Sequence, residues 1–233
     1  MEEKNKNQLE QIKVVYSLGP TSYTDTFLES NNFKRFSSIF SSANIKQINA
    51  IPRILDNNGS IIFDPNGHLY TRFMSNRKEL KTIEAHGTVL TSMDAGREDA
   101  TFPEQELWRE ETQKHFMRAI KRINKIKEER IPVLFLYMVD KRKNNMASME
   151  NLSNISKIKG LAKWVENGFN GTLLTVIIDQ GEREELMHPT ERKIGLNSFV
   201  ITPETGKELE SVRKYMKKRF YLDELTTKEE LDG

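Results

Sequence analysis

Ser22 is the residue that type and spacing place best for chemistry. It stands four residues past the run Lys13-Val-Val-Tyr-Ser-Leu18, behind a Gly19-Pro20 turn and Thr21. An apolar, β-branched run feeding a tight turn and then a small hydroxyl is how α/β hydrolytic enzymes present a nucleophile between strand and helix. The competing role for the same residues is capping, in which Thr21 or Ser22 accepts a hydrogen bond from the first N–H groups of the helix. The segment has neither a Gly-x-Ser-x-Gly elbow nor the Asp of a Gly-Asp-Ser block, which favours the cap. No cysteine occurs in the chain, so thiol catalysis, disulfides and thiolate metal sites are excluded.

A serine nucleophile needs a base within hydrogen-bond reach. The chain offers four histidines, His68, His86, His115 and His188. His68 falls in a hairpin turn, His115 between Lys114 and Arg118, and His188 before Pro189 in a charged loop, all positions that suit solvated side chains. His86, just ahead of Gly87 and an apolar strand, is the best placed. Asp94, Asp140 and Asp179 each close an apolar run, where an acid can serve a site or simply solvate the next loop. Ser22 with His86 as base and Asp94 as orienting acid is the hydrolase set these positions allow. No pair of histidines has the His-x-x-x-His spacing, so neither a metal nor a cofactor is expected. Lys114, Arg118, Lys121, Arg122 and Lys125 give one helix a basic side, by default a solvated face and alternatively a phosphate or polyanion site. Trp108 and Trp164 suit helix packing better than a stacking platform.

The elements that must position these residues follow from pattern. Lys13 to Leu18 reads as a buried strand and Ser22 to Glu29 as a helix stopped by Asn31 and Asn32. Phe33 to Ser42, rich in serine and aromatics, reads as irregular. Ile45, Ile48, Ile51 and Leu55 suit a short amphipathic helix interrupted near Pro52. Ser60 to Phe73 reads as a hairpin turning at Pro65 and Gly67, followed by a strand at Thr88 to Met93. The longest helix is expected from Pro103 to Glu129, on Phe116, Ala119, Ile120, Ile123 and Ile126. Ile131 to Val139 is a near-continuous apolar run, the mark of a central strand covered on both faces. A helix on Ile155, Ile158, Leu161, Ala162 and Val165, closed near Gly168, leads to strands at Leu173 to Ile178 and Ser198 to Ile201. Thr202-Pro203-Glu204 has the form of a helix start, and the polar residues after Tyr221 read as a mobile tail. This order points to a three-layer α/β fold with a mostly parallel, helix-covered sheet and a β-hairpin insertion. The organisation expected is a polar leader over 1–11, a single domain over 12–220 and a tail over 221–233.

Composition narrows the partners. A hydrophobic fraction of 36% and a mean hydropathy of −0.64 support one core with a wide solvated surface. A net charge of +2 argues against nucleic acid as a partner, and no apolar run approaches the ~20 residues that span a bilayer. The first ten residues lack the apolar stretch of a signal peptide, which fits an intracellular protein.

The residues Val15-Tyr-Ser-Leu-Gly-Pro-Thr-Ser-Tyr-Thr-Asp-Thr-Phe-Leu28, followed by Phe33-Lys-Arg-Phe-Ser-Ser38, resemble the opening of a family of papain-like cysteine peptidases. The likeness extends through the helix Glu111 to Lys125 and the strand Val133 to Val139. It implies an α/β domain with a cysteine at the start of the first helix, and that position here is Ser22. The family's Pro-Phe-Asp-Trp segment is replaced by Ile39-Phe40-Ser41-Ser42. Its histidine-bearing strand end falls on Thr91-Ser-Met-Asp94, which keeps an acid in Asp94 and leaves His86 as a displaced base. The resemblance thus implies a pseudoenzyme that acts through a protein partner or self-assembly. The abundance of lysine, asparagine and isoleucine suits an AT-rich genome such as that of a large DNA virus, where degenerate enzymes become virion or other structural components.

Overall fold

A computed structural model describes residues 9–41, 43–45, 47–58, 69–74, 77–85, 88–91, 102–142, 150–179 and 189–233. Within these, 22, 43–44, 69–74, 77–85, 88–91, 102–113 and 115 are described by backbone alone. Eleven strands carry the labels β1 (Glu10–Gln11), β2 (Val14–Ser17), β3 (Ala43–Ile45), β4 (Leu69–Met74), β5 (Arg77–Ala85), β6 (Thr88–Thr91), β7 (Val133–Asp140), β8 (Gly171–Ile178), β9 (Thr190–Lys193), β10 (Phe199–Thr202) and β11 (Phe220–Tyr221). The helices are α1 (Ser22–Ser30), α2 (Ala50–Asp56), α3 (Phe102–Glu128), α4 (Ile155–Gly168), α5 (Glu208–Arg219) and α6 (Lys228–Asp232).

The main sheet has the order β2-β7-β8-β10-β9, its first four strands parallel and β9 antiparallel at the edge. All eight residues of β7 are buried, seven of them an unbroken apolar run as a strand packed on both faces requires, with Asp140 closing it. Alternation along the strands then sorts the core. Tyr16, Phe135, Tyr137, Val139, Leu173 and Ile177 face Ile51 and Ile54 of α2, Ile120, Ile123 and Ile126 of α3, and Ile158, Leu161 and Val165 of α4. Val15, Leu134, Leu136, Met138, Leu174 and Val176 face Phe27 and Leu28 of α1 and Val212 and Met216 of α5. Helices therefore cover both faces of a mostly parallel sheet, a three-layer α/β fold.

Several expectations change. The insertion is larger than one hairpin: β3, β6, β5 and β4 form an antiparallel sheet in that order. Residues 69–74 pair with β5, while the Pro65–Gly67 turn lies outside the described residues. Ile45 belongs to β3, because its N–H bonds Pro20 O at 2.7 Å and its strand pairs with β6. The helix begins at Ala50, with Pro52 in its first turn, where a missing N–H costs nothing. Thr202 does not start a helix; it pairs with Thr190 as the last rung of β10 against β9. The chain turns through Gly206, at φ +79°, and α5 opens at Glu208. The first and last described elements are engaged as well. β1 pairs in parallel with β11, the Thr226 N–H bonds Lys13 O at 2.7 Å, and α6 closes on a capping box between Thr227 and Glu230. Leu222, Leu225 and Leu231, read in sequence as part of a mobile tail, are buried.

Candidate functional site at the strand ends

Open α/β sheets bind ligands beyond the carboxyl ends of their strands, and the Ser22 turn lies at that edge. Gly19 takes φ +81°, a left-handed conformation that an L side chain resists, and the Gly19–Pro20 bond is cis. The turn is stitched to the neighbouring strand. Gly19 O accepts from the Thr24 hydroxyl at 2.6 Å and from the Met138 N–H at 3.2 Å. Thr21 is the cap, its Oγ1 accepting from the Tyr23 N–H at 3.3 Å, and Ser22 is the first residue within the helix. The strand, turn and helix start thus stand as the sequence spacing requires. His86 and Asp94, the proposed base and acid, lie outside the described residues, as do His68 and His188.

What the structure does bring to this edge is a set of paired charges. Arg142, two residues past the end of β7, donates from Nε to Asp140 Oδ1 at 2.8 Å and from Nη2 to Asp140 Oδ2 at 2.9 Å. Its Nη1 reaches Glu208 Oε1, in the first turn of α5, at 2.8 Å. The planar fork of a guanidinium matches a carboxylate, so this is a closed cluster joining β7 to α5. The Asp140 hydrogen bond holds Arg142 cationic beyond the ordinary arginine range. Tyr23, beside the cluster, has its phenol pushed upward by burial first and by the Asp140 charge second. Lys141 Nζ meets Asp179 Oδ2 at 2.7 Å, joining the ends of β7 and β8. Lys207 meets Glu204 at 3.2 Å. Asp25, buried in the first turn of α1, pairs with Lys34 and accepts from the Ser41 hydroxyl at 2.8 Å. Ser41 Oγ in turn accepts the Ser38 N–H at 2.8 Å, which fixes the irregular 33–41 segment under the Ser22 helix.

Asp140 and Asp179 were legible as acids at strand ends. Their partners were not, since Arg142 and Lys141 read only as loop residues. The basic side of α3 divides in the same way. Lys114, Arg118 and Lys121 are exposed, whereas Arg122 is 3% exposed and paired with Asp232, and Lys125 donates to Glu230 O at 2.9 Å. A uniformly solvated basic face is therefore not what forms. Among the described residues no group of three or more His, Asp or Glu is placed to hold a metal ion, and no helix is long and apolar enough to cross a membrane. No protein-family model, no curated protein and no solved structure matches this chain, so the peptidase resemblance rests on the residues that carry it.

Proposed function

We propose that this chain works by binding or assembly rather than by turnover, as a catalytically degenerate relative of the papain-like peptidases. The observation that carries this is the pairing of the acids at the strand ends. Asp25, Asp140, Asp179, Glu204 and Glu208 each meet a lysine or arginine. A general base must aim a lone pair at the proton it removes, whereas each of these carboxylates has an oxygen engaged by a cation, Asp140 and Glu208 through the Arg142 fork that ties β7 to α5. The residue at the family's nucleophile position supports the same reading, because a serine hydroxyl is far less acidic than the family's thiol and so a weaker nucleophile at neutral pH.

The test is turnover of a panel of peptide and activated-ester substrates by the parent and by Ser22→Ala. Equal, background-level rates are expected for both. A rate above background that Ser22→Ala removes would establish a serine hydrolase instead.

A further inference from the structure

The two edges of the main sheet differ. β2 is buried along its whole length, whereas all four residues of β9 are exposed, and among the described residues no strand pairs with its outer side. The Ile194 N–H bonds Ser198 O at 2.9 Å, and inward bonding alternates along an antiparallel pair. Arg192 and Thr190 therefore bond β10, while Glu191 and Lys193 present N–H and C=O outward. Such a row of backbone groups is a template for another extended chain. The charges of β9 deter casual pairing and restrict which strand it can take.

Between β9 and α5 runs a groove of about 720 Å³, and its α5 wall carries Tyr215, Lys218 and Arg219 on one flank of the helix. Each offers a donor that nothing accepts. Tyr215 Oη and Arg219 Nε are buried without a hydrogen-bond partner, and among the described residues Lys218 has no ion pair. A buried donor left unmet costs free energy that an incoming acceptor recovers. The Arg219 fork is already oriented, because its Cζ lies 3.7 Å from the centre of the Phe199 ring. Burial pushes the Tyr215 phenol up, which keeps it a neutral donor. The acid beside them, Glu191, is exposed and stands 3.5 Å from Arg219 Nη1, long for a charge-assisted bond. Other charges of the groove are engaged: Lys207 with Glu204, Lys214 with Glu210, and Glu10 with the Thr172 hydroxyl. Three unmet donors beside an open strand edge match an extended chain that carries a carboxylate.

We propose that β9 is a docking edge for an extended acidic segment of a partner protein. The segment's backbone pairs with Glu191 and Lys193, and its carboxylate side chain takes the donors of Tyr215, Lys218 and Arg219. The inference is independent of whether Ser22 is reactive.

The probe is a fluorescein-labelled nonapeptide that alternates valine and glutamate, titrated against the full chain. A peptide with lysine in place of glutamate is expected to bind about tenfold more weakly, the worth of one hydrogen bond to a charged group. Lys218→Glu, at an exposed position that leaves the core intact, should weaken the glutamate peptide by about the same factor. Glu191→Gln removes the competing carboxylate and should tighten it. Methylating either the valine or the glutamate amides keeps the charge, and one of the two should abolish binding. Amide exchange at Glu191 and Lys193 should slow when the unmethylated peptide is bound. No binding, binding that survives both methylations, or an affinity that Lys218→Glu or Glu191→Gln leaves unchanged would each overturn the proposal.

Discussion

Glu166 illustrates how single residues set the geometry here. Its carboxylate on α4 accepts from Leu196 N at 3.0 Å, Asn197 N at 2.9 Å and Ser198 Oγ at 2.6 Å, clamping the turn between β9 and β10. Burial pushes the Glu166 carboxyl up, but those three hydrogen bonds outweigh it and hold the group below its ordinary range. A Cβ built on Gly195 would press against both Glu166 oxygens, the farther at 2.8 Å. Gly160, on the exposed side of the same helix, has nothing within 4 Å of such a Cβ. The two glycines should therefore respond with opposite sign to alanine. Gly195→Ala is expected to cost about 1–3 kcal/mol through overpacking and a loosened clamp. Gly160→Ala is expected to gain about 0.5–1 kcal/mol through helix propensity. Urea unfolding midpoints measure both, and a tolerated Gly195→Ala would mean that Glu166 does not hold the turn.

At the scale of elements, the pattern of apolar residues carried β2, α1, β7, α4 and β8 to within a residue or two, because each buries a long periodic or continuous face. Ile45, Thr202 and the residues after Tyr221 were misread for one physical reason. Each is placed by a backbone partner far along the chain: Pro20 for Ile45, Thr190 for Thr202, Lys13 for Thr226. A local cap or spacing signal cannot compete with such a partner, and nothing in the nearby sequence announces it. At the candidate site the same limit applied. The acids Asp140 and Asp179 were visible at strand ends, but what their cations join was not: Arg142, two residues past Asp140, also reaches Glu208 on α5, and Lys141 reaches across to Asp179 at the end of β8. α6 is the element whose attachment should respond most to pH. The Arg122 hydrogen bonds hold the Asp232 carboxyl below its ordinary value, so its contribution is complete above the unfolded value of about 3.9 and is lost as pH falls through the folded value. Amide exchange of residues 228–232 should accelerate relative to β7 below about pH 4, and Arg122→Gln should remove that acid dependence. Exchange of these amides that is indifferent to Arg122 would place the hold on α6 elsewhere.

For the whole molecule, a three-layer α/β scaffold sets a strand, a tight turn and a helix start at Ser22, and among the described residues the acids Asp140 and Asp179 at the strand ends are taken up in ion pairs. Such pairs add little net stability, but the Arg142 cluster joins α5 to the end of β7, and Lys141 with Asp179 joins the ends of β7 and β8. A surface set in this way suits recognition, which needs fixed shape, more than catalysis, which needs a base free to take and return a proton. The central claim is that Ser22 is a scaffold residue. Its most direct test is covalent: incubation of the folded protein with a serine-directed fluorophosphonate, followed by peptide mass spectrometry across residues 14–34. The account predicts no adduct on Ser22 beyond that seen after unfolding. A stoichiometric Ser22 adduct that forms only on the folded protein would contradict it.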